Sequence, residues 1–193
     1  MKALLRSVVL IMMLVVALAV GVSAAEVVLY PIEDSYVKDG GDAATNFGAS
    51  EQLQLKYESE REGFTRVIFL KFDISEIESV EKATLRLFLE KNDVLEFKTL
   101  AFYDITGEEW SEHEITWENA PLEGGIHIRD AYTDNFENVW LNVNITDMVR
   151  KHVEAGTKVI SIRINHRDDH WGGTIFAPSK EAPANNPELV IVQ

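Results

Sequence analysis

Eight short apolar runs, separated by turn residues at fairly regular intervals, restrict what this chain can fold into. They occupy residues 27–30, 53–57, 67–72, 83–89, 100–103, 140–143, 159–164 and 189–192. Runs of this length and spacing belong to a sandwich or barrel rather than to a helical bundle. The second run alternates, so Leu53, Leu55 and Tyr57 are expected to face the core while Gln54 and Lys56 face out. The third is apolar on both faces apart from Lys71. It reads as a central strand, covered on one side by the opposing sheet and on the other by a loop or a ligand. One short helix is predicted where Ile145, Met148, Val149, His152 and Val153 recur at helical spacing, with Thr146 or Asp147 as cap and Gly156 as left-handed terminator. Residues 38–50 read as a long loop and 58–63 as a polar hairpin tip, and no linker divides the chain.

The N-terminus follows a different logic. A short basic stretch with Lys2 and Arg6 precedes an unbroken apolar run from Val8 to Val22 and the small residues Ser23, Ala24 and Ala25. This is the form of a secretory signal peptide over residues 1–25, with cleavage after Ala24 or Ala25. A retained membrane anchor is the alternative, although the run is shorter than the ~20 residues a spanning helix needs. Residues 26–193 are then one secreted or cell-surface domain, not inserted in a membrane once the signal is removed. The chain has no cysteine, which excludes disulfides and a lipid-modified cysteine. Its formal net charge is −14, and losing Lys2 and Arg6 leaves 16 basic against 32 acidic residues. Such a surface repels nucleic acid and anionic lipid.

Few residues carry recognisable reaction chemistry. His166 and His170 have the spacing of a zinc pair, but a strand precedes them and Gly172-Gly173 follows, so no helix aims them at one ion. His152 falls on the apolar face of the predicted helix and reads as packed; nothing in the sequence places His113 or His127 beside a partner. There is no Gly-x-Ser-x-Gly, phosphate-binding glycine loop or cysteine nucleophile, and adjacent carboxylates such as Glu108 and Glu109 are expected by chance in so acidic a chain. No cofactor is required by any motif. Structural calcium is the ion to consider, with Asp34, Asp39, Asp42 and Asn46 flanking the long first loop; a solvated acidic loop is the alternative.

Residues 110–121, Trp-Ser-Glu-His-Glu-Ile-Thr-Trp-Glu-Asn-Ala-Pro, form an aromatic corner in which Ser111 and Glu114 have capping-box spacing. This stretch resembles the signature of the DNRLRE family, carbohydrate-binding module family 96, which is related to disaggregatase. Further matches follow in family order: Asp34-Ser35-Tyr36-Val37, Thr45-Asn46-Phe47-Gly48, Phe69-Leu70-Lys71-Phe72-Asp73, Ala83-Thr84-Leu85-Arg86-Leu87, Asn144-Ile145-Thr146-Asp147-Met148-Val149, Ser179-Lys180-Glu181 and Pro187-Glu188-Leu189-Val190-Ile191. The resemblance implies a jelly-roll-like β-sandwich that binds extracellular or cell-wall polysaccharide without cleaving it, uronate-containing chains such as alginate among the ligands. A cell-surface structural or adhesion protein is the alternative, and a polysaccharide-degrading enzyme a further one.

The candidate binding residues are basic. Lys38, Lys56, Arg66 and Lys180 each fall within or beside a family motif, and if they converge on one sheet face they form a positive groove for sugar carboxylates. Lys56 and Arg66 flank the polar hairpin tip, so antiparallel pairing of their strands should bring them to one side. Trp171, between a charged loop and Gly172-Gly173, is the candidate for an exposed sugar-stacking ring. Trp110 and Trp117 are expected to plug the space between two sheets, unless an exposed indole makes them a stacking platform. The glycosylation-like Asn144-Ile145-Thr146 is expected to be structural.

Overall fold

The computed structural model describes residues 25–58, 60–92, 98–133, 137–167 and 173–193; residues 1–24 of the expected signal peptide and Trp171 lie outside them. These residues form strands β1 (Glu26–Leu29), β2 (Glu33–Lys38), β3 (Gln52–Leu55), β4 (Arg66–Asp73), β5 (Lys82–Leu89), β6 (Lys91–Asn92), β7 (Lys98–Asp104), β8 (Ile126–Thr133), β9 (Val139–Asn144), β10 (Val159–His166), β11 (Ile175–Pro178) and β12 (Glu188–Val192), with helix α1 (Thr146–Glu154) between β9 and β10. All pairings among them are antiparallel. Among the described residues no helix is long and apolar enough to cross a membrane.

The fold is the expected β-sandwich. One layer is the sheet β2-β4-β10-β7-β8. The other combines β1-β12-β5-β9 with β3-β11-β6, because β6 resumes β5 after the single residue Glu90. Alternation decides which side chains fill the space between the layers. Ile68, Leu70 and Phe72 of β4 and Ile160, Ile162 and Ile164 of β10 meet Leu85 and Leu87 of β5 and Leu53 and Leu55 of β3 in one buried cluster. Helix α1 closes one end with Met148 and Val149. Its N-cap position is Ile145, which makes no side-chain cap bond, so neither Thr146 nor Asp147 caps it. Asn144 Oδ1 accepts from Thr146 N instead, at 3.0 Å, which is the structural role expected of that motif. At the other end Gly156 has φ +71°, and Thr157 N and Gly156 N donate to His152 O and Val153 O in a Schellman arrangement.

Residues 105–125, between β7 and β8, fold back over the outer face of the five-stranded sheet. Trp110 and Trp117 pack there with Ile115 against Val37, Val67 and Phe69. They are therefore not a plug between the sheets: strand side chains already fill that space, and the indoles cover the second apolar face of β4. Burying a residue such as Phe69 this way is worth roughly 1.5–3 kcal/mol. An irregular covering segment has backbone carbonyls with no ladder to join, and each needs a partner. Arg163, 3% exposed at the centre of β10, supplies three, donating to Pro121 O at 2.7 Å, Glu123 O at 3.1 Å and Gly124 O at 2.9 Å. Lys71 Nζ donates to Trp110 O at 2.6 Å and lies 4.4 Å from the centroid of the Trp110 ring. Asn46 Nδ2 donates to Glu112 O at 2.7 Å and Ile115 O at 2.8 Å. Gly48 lies so close beneath that a Cβ there would stand 2.1 Å from Glu112 O.

A buried carboxyl pair completes the attachment. Asp34 N donates to Glu112 Oε1 at 3.4 Å, Lys180 N donates to Asp34 Oδ2 at 2.7 Å, and Lys180 Nζ lies 3.0 Å from Glu112 Oε2. Asp34 is 1% exposed and Glu112 3%. Burial, reinforced by the Glu112 charge and only partly offset by Lys180, pushes the Asp34 carboxyl up to about 7.

Arg163→Met should strand three carbonyls and lower the unfolding free energy by roughly 3 kcal/mol in urea titrations, with faster proteolysis within residues 105–125; a change within error would mean that water pairs them. Asp34 gives a pH dependence of definite sign. Unfolded, it ionises near 3.8; folded, it holds its proton to about 7. Between these values the folded state binds more protons, so stability falls as pH rises through that window and is level above it. Asp34→Asn should flatten this fall and melt higher than the parent at pH 8, followed by circular dichroism from pH 4 to 8; an unaltered profile would assign the titration to another group.

Candidate functional site

The hairpin that β3 and β4 would form is reduced to its outermost rung. Lys56 and Arg66 form a single antiparallel bridge, with Lys56 N donating to Arg66 O at 3.2 Å and Arg66 N to Lys56 O at 2.8 Å. Arg66 is in turn the register partner of Lys38 on β2. Three of the four predicted cations therefore stand side by side on neighbouring segments. Lys38 is paired with Asp42 and so contributes less positive charge.

Lys56 and Arg66 are both held at some cost. Burial, then the Arg66 charge, lowers the Lys56 ammonium below its ordinary value, and burial likewise lowers Arg66. Lys56 Nζ sits 5.0 Å above the Phe64 ring, and Arg66 Nη1 donates to Phe64 O at 3.0 Å. Arg66 Nε is buried with no hydrogen-bond partner among the described residues. Like charges directly opposite across a strand pair repel. An anion bound between them would relieve that repulsion and give Arg66 an acceptor.

Both cations line a cleft of about 190 Å³, with Tyr57 beside them, Asn165 and His166 from β10, and Trp117, Leu122 and Glu123 from the covering segment opposite. Tyr57 was expected in the core. The β3 ladder ends at Leu55, and beyond it Tyr57 turns to this cleft while Leu53 and Leu55 stay buried. Trp117 packs on the outer face of the sheet and also lines the opening. A larger opening of about 410 Å³ lies beside Trp110, where Glu109 and Glu114 have no cation beside them in the lining, whereas in the cleft Glu123 stands with Lys56 and Arg66.

A second group of neighbours escaped the sequence. On the outward face of β3, Gln54 precedes Lys56 by two residues and pairs with Phe176 of β11, which also pairs with Lys91. Phe176 thus adds a half-buried ring to the same side as Lys56. The alternation of Ile175, Phe176 and Ala177 was the available signal, but the run ends in Pro178 and is too short to stand out.

Lys180 does not join this group. Its ion pairs to Glu112 and Glu181 and its backbone bond to Asp34 place it in the buried attachment of the covering segment, about 13 Å back along β2 from Lys38. Of the possible zinc pair, His166 borders the cleft and His170 lies outside the described residues. The possible calcium ligands are dispersed: Asp39 Oδ1 accepts from Thr65 N at 2.8 Å, Asp42 pairs with Lys38, and Asn46 binds the covering segment. Among the described residues no group of three such side chains could hold a metal. Two histidines do find acidic partners that the sequence leaves unassigned. His127 Nε2 lies 2.8 Å from Asp130 Oδ1, and His113 Nε2 lies 3.9 Å from Glu112 Oε2. His152 is packed as expected, with Nε2 2.8 Å from Asp104 Oδ2 and Nδ1 3.3 Å from Thr157 Oγ1, tying the helix to β7.

Paired cations, an unpartnered guanidinium nitrogen and aromatic walls suit an anionic, ring-shaped ligand. Comparison with known proteins gives the family. A gellan lyase from Bacillus sp is 23% identical over 185 residues, an alignment covering 91% of this chain but only 7% of the length of that protein. The profile of carbohydrate-binding module family 96 matches residues 25–193, nearly the whole chain, and the protein belongs to that family.

Proposed function

We propose that this protein is an exported, non-catalytic module that captures extracellular or cell-wall polysaccharide, and that the preferred ligand carries uronate residues, as alginate does. The observation that carries the reading is the Lys56–Arg66 pair, two desolvated cations facing one another in a cleft with Trp117 and Tyr57. A sugar carboxylate can accept from both while the ring of the same residue lies against an aromatic edge. Lys38 stands at the rim of this site. The resemblance to a gellan lyase concerns 7% of that protein and supports a carbohydrate-handling context rather than lyase chemistry in this chain.

The chain's formal net charge of −14 makes the cationic pair a local feature of an acidic surface. Its attraction is screened within about 10 Å at ordinary ionic strength, so contact rather than long-range steering must hold the ligand.

Titration calorimetry with a hexuronate tests this. Lys56→Ala and Arg66→Ala should each weaken binding by roughly 1–3 kcal/mol, and added salt should weaken the parent. If the ligand is neutral, Trp117→Ala and Trp171→Ala should matter more than either charge removal, and salt should matter little. Chain-length analysis of the recovered ligand should show no shortening; new unsaturated uronates made by the purified protein would overturn the non-catalytic reading. Absence of glycan binding together with self-association would favour a surface-structural role instead.

A further inference from the structure

The sandwich has another opening, at the edge where β8 of one layer passes β9 of the other. It has a volume of about 380 Å³, an apolar floor that includes Leu89 and Val139, and walls formed by Tyr132, Trp140 and Asn142. It shares no lining residue with the cationic cleft. Tyr132 is 70% exposed, a large aromatic surface left in water at the mouth of a cavity. Such rings, apolar in body and polar at the tip, suit contacts that are half wet.

Trp140 is held as a fixed platform. The Arg86 guanidinium carbon lies 4.4 Å from its ring centroid, and the Phe88 ring meets it edge-on at 5.4 Å. Arg86 is itself fixed by Glu188, at 2.5 Å, and by Asn142 Oδ1, which accepts from its Nε at 3.2 Å. A ring immobilised before the ligand arrives loses little freedom on binding. The local charge is balanced, since Arg86 is paired with Glu188. The lining therefore includes two aromatic side chains, a phenol hydroxyl and an amide whose Nδ2 donates to Trp140 O at 3.2 Å and keeps a second N–H, a set that suits a neutral sugar ring and gives a carboxylate no free cation.

We propose that the β8–β9 edge is a second carbohydrate subsite, specific for neutral pyranose residues, with Tyr132 and Trp140 as stacking rings and Asn142 as a hydroxyl partner. The module would then hold a polysaccharide at two chemically different places, acidic residues at the Lys56–Arg66 cleft and neutral ones here. The subsite rests on the family's carbohydrate binding and not on the uronate preference of the cleft, so the two can fail separately. From Arg66 on β4, β8 is three strand spacings across the sheet, about 14 Å. The surface between carries Asn165, then Arg167, which reaches Asp130 Oδ2 at 3.2 Å and the Tyr103 hydroxyl at 3.4 Å.

The test is calorimetry of the whole protein against neutral hexasaccharides of glucose, mannose and galactose, at low and high salt. At least one should bind with little salt dependence. Its affinity should fall at least tenfold in Tyr132→Ala and in Trp140→Ala, hold within twofold in Tyr132→Phe, and be unchanged in Lys56→Ala. Tyr132→Ala alters an exposed side chain and keeps the test valid if Trp140→Ala destabilises the fold. No binding of any neutral hexasaccharide, or binding that ignores Tyr132→Ala, overturns the subsite even if hexuronate binding at the cleft persists. Sedimentation showing a dimer that Tyr132→Ala dissociates would assign this edge to a second copy of the chain and equally overturn it.

Discussion

Arg163 sits in the middle of β10 and points away from the inter-layer core, where an outward side chain would ordinarily meet water. It instead meets a covering segment, and its planar guanidinium places donors on three carbonyls of irregular backbone while Nε donates to Asn165 Oδ1 at 3.1 Å. A lysine has three donors at one point and could not span carbonyls of Pro121, Glu123 and Gly124. The Tyr103 ring, 4.8 Å from the guanidinium carbon, adds a second contact for the same charge. Together with Lys71 and Asn46, this side chain fixes where the covering segment runs over the sheet. Because Trp117, Leu122 and Glu123 are a wall of the cationic cleft, it also determines the width of that cleft.

The family motifs acquire a physical meaning in this light. Asn46 grips two carbonyls of the covering segment, Gly48 makes room for one of them, and Phe47 stacks on Tyr36 at 4.4 Å. Asp34 and Lys180, from two further motifs, meet at Glu112 within the aromatic corner. Four stretches far apart in sequence thus converge on attaching one segment to one sheet face. Most of what makes the family recognisable is scaffold. Lys56 and Arg66, which face the cleft, stand at the margins of the motifs instead of inside them.

This explains what could be read from the sequence. All eight apolar runs are strands because their side chains alternate between a filled core and solvent or cover. β2 is absent from the apolar runs because Asp34 and Ser35 interrupt it, and only the family motif marks it; both are buried, Asp34 Oδ2 accepting from Lys180 N and Ser35 Oγ donating to Tyr36 O next to it. β8 was hidden because it is an edge strand with several exposed positions, and β11 because it is four residues long and ends in proline. The pairing of Lys56 with Arg66 was legible from parity and a hairpin. The role of Lys180 was not, since nothing near it in sequence announces Glu112. The placement of the two tryptophans failed for a related reason. Their area demands burial, but only the topology reveals that β4 has two apolar faces and that one of them was still open.

The same topology separates the conflicting demands on charge. Carboxylates such as Asp34 and Glu112 are buried where they fasten the covering segment, and Lys180 is used among them as a counter-charge. Had Lys180 joined Lys56 and Arg66, the attachment would lose its cation and the cleft would gain a third like charge in a row already under repulsion. Lys38, next in that row, forms an ion pair with Asp42, whereas Lys56 and Arg66 feel Glu58, and Asp39 and Asp42, only as more distant charges. In a chain this acidic, a partly desolvated pair of like charges lowers stability, and the proposed carboxylate ligand would offset that cost. On the proposed reading, Trp117, Leu122 and Glu123 of the covering segment, which line the cleft with that pair, limit its contact with water and so would raise the gain from a bound carboxylate.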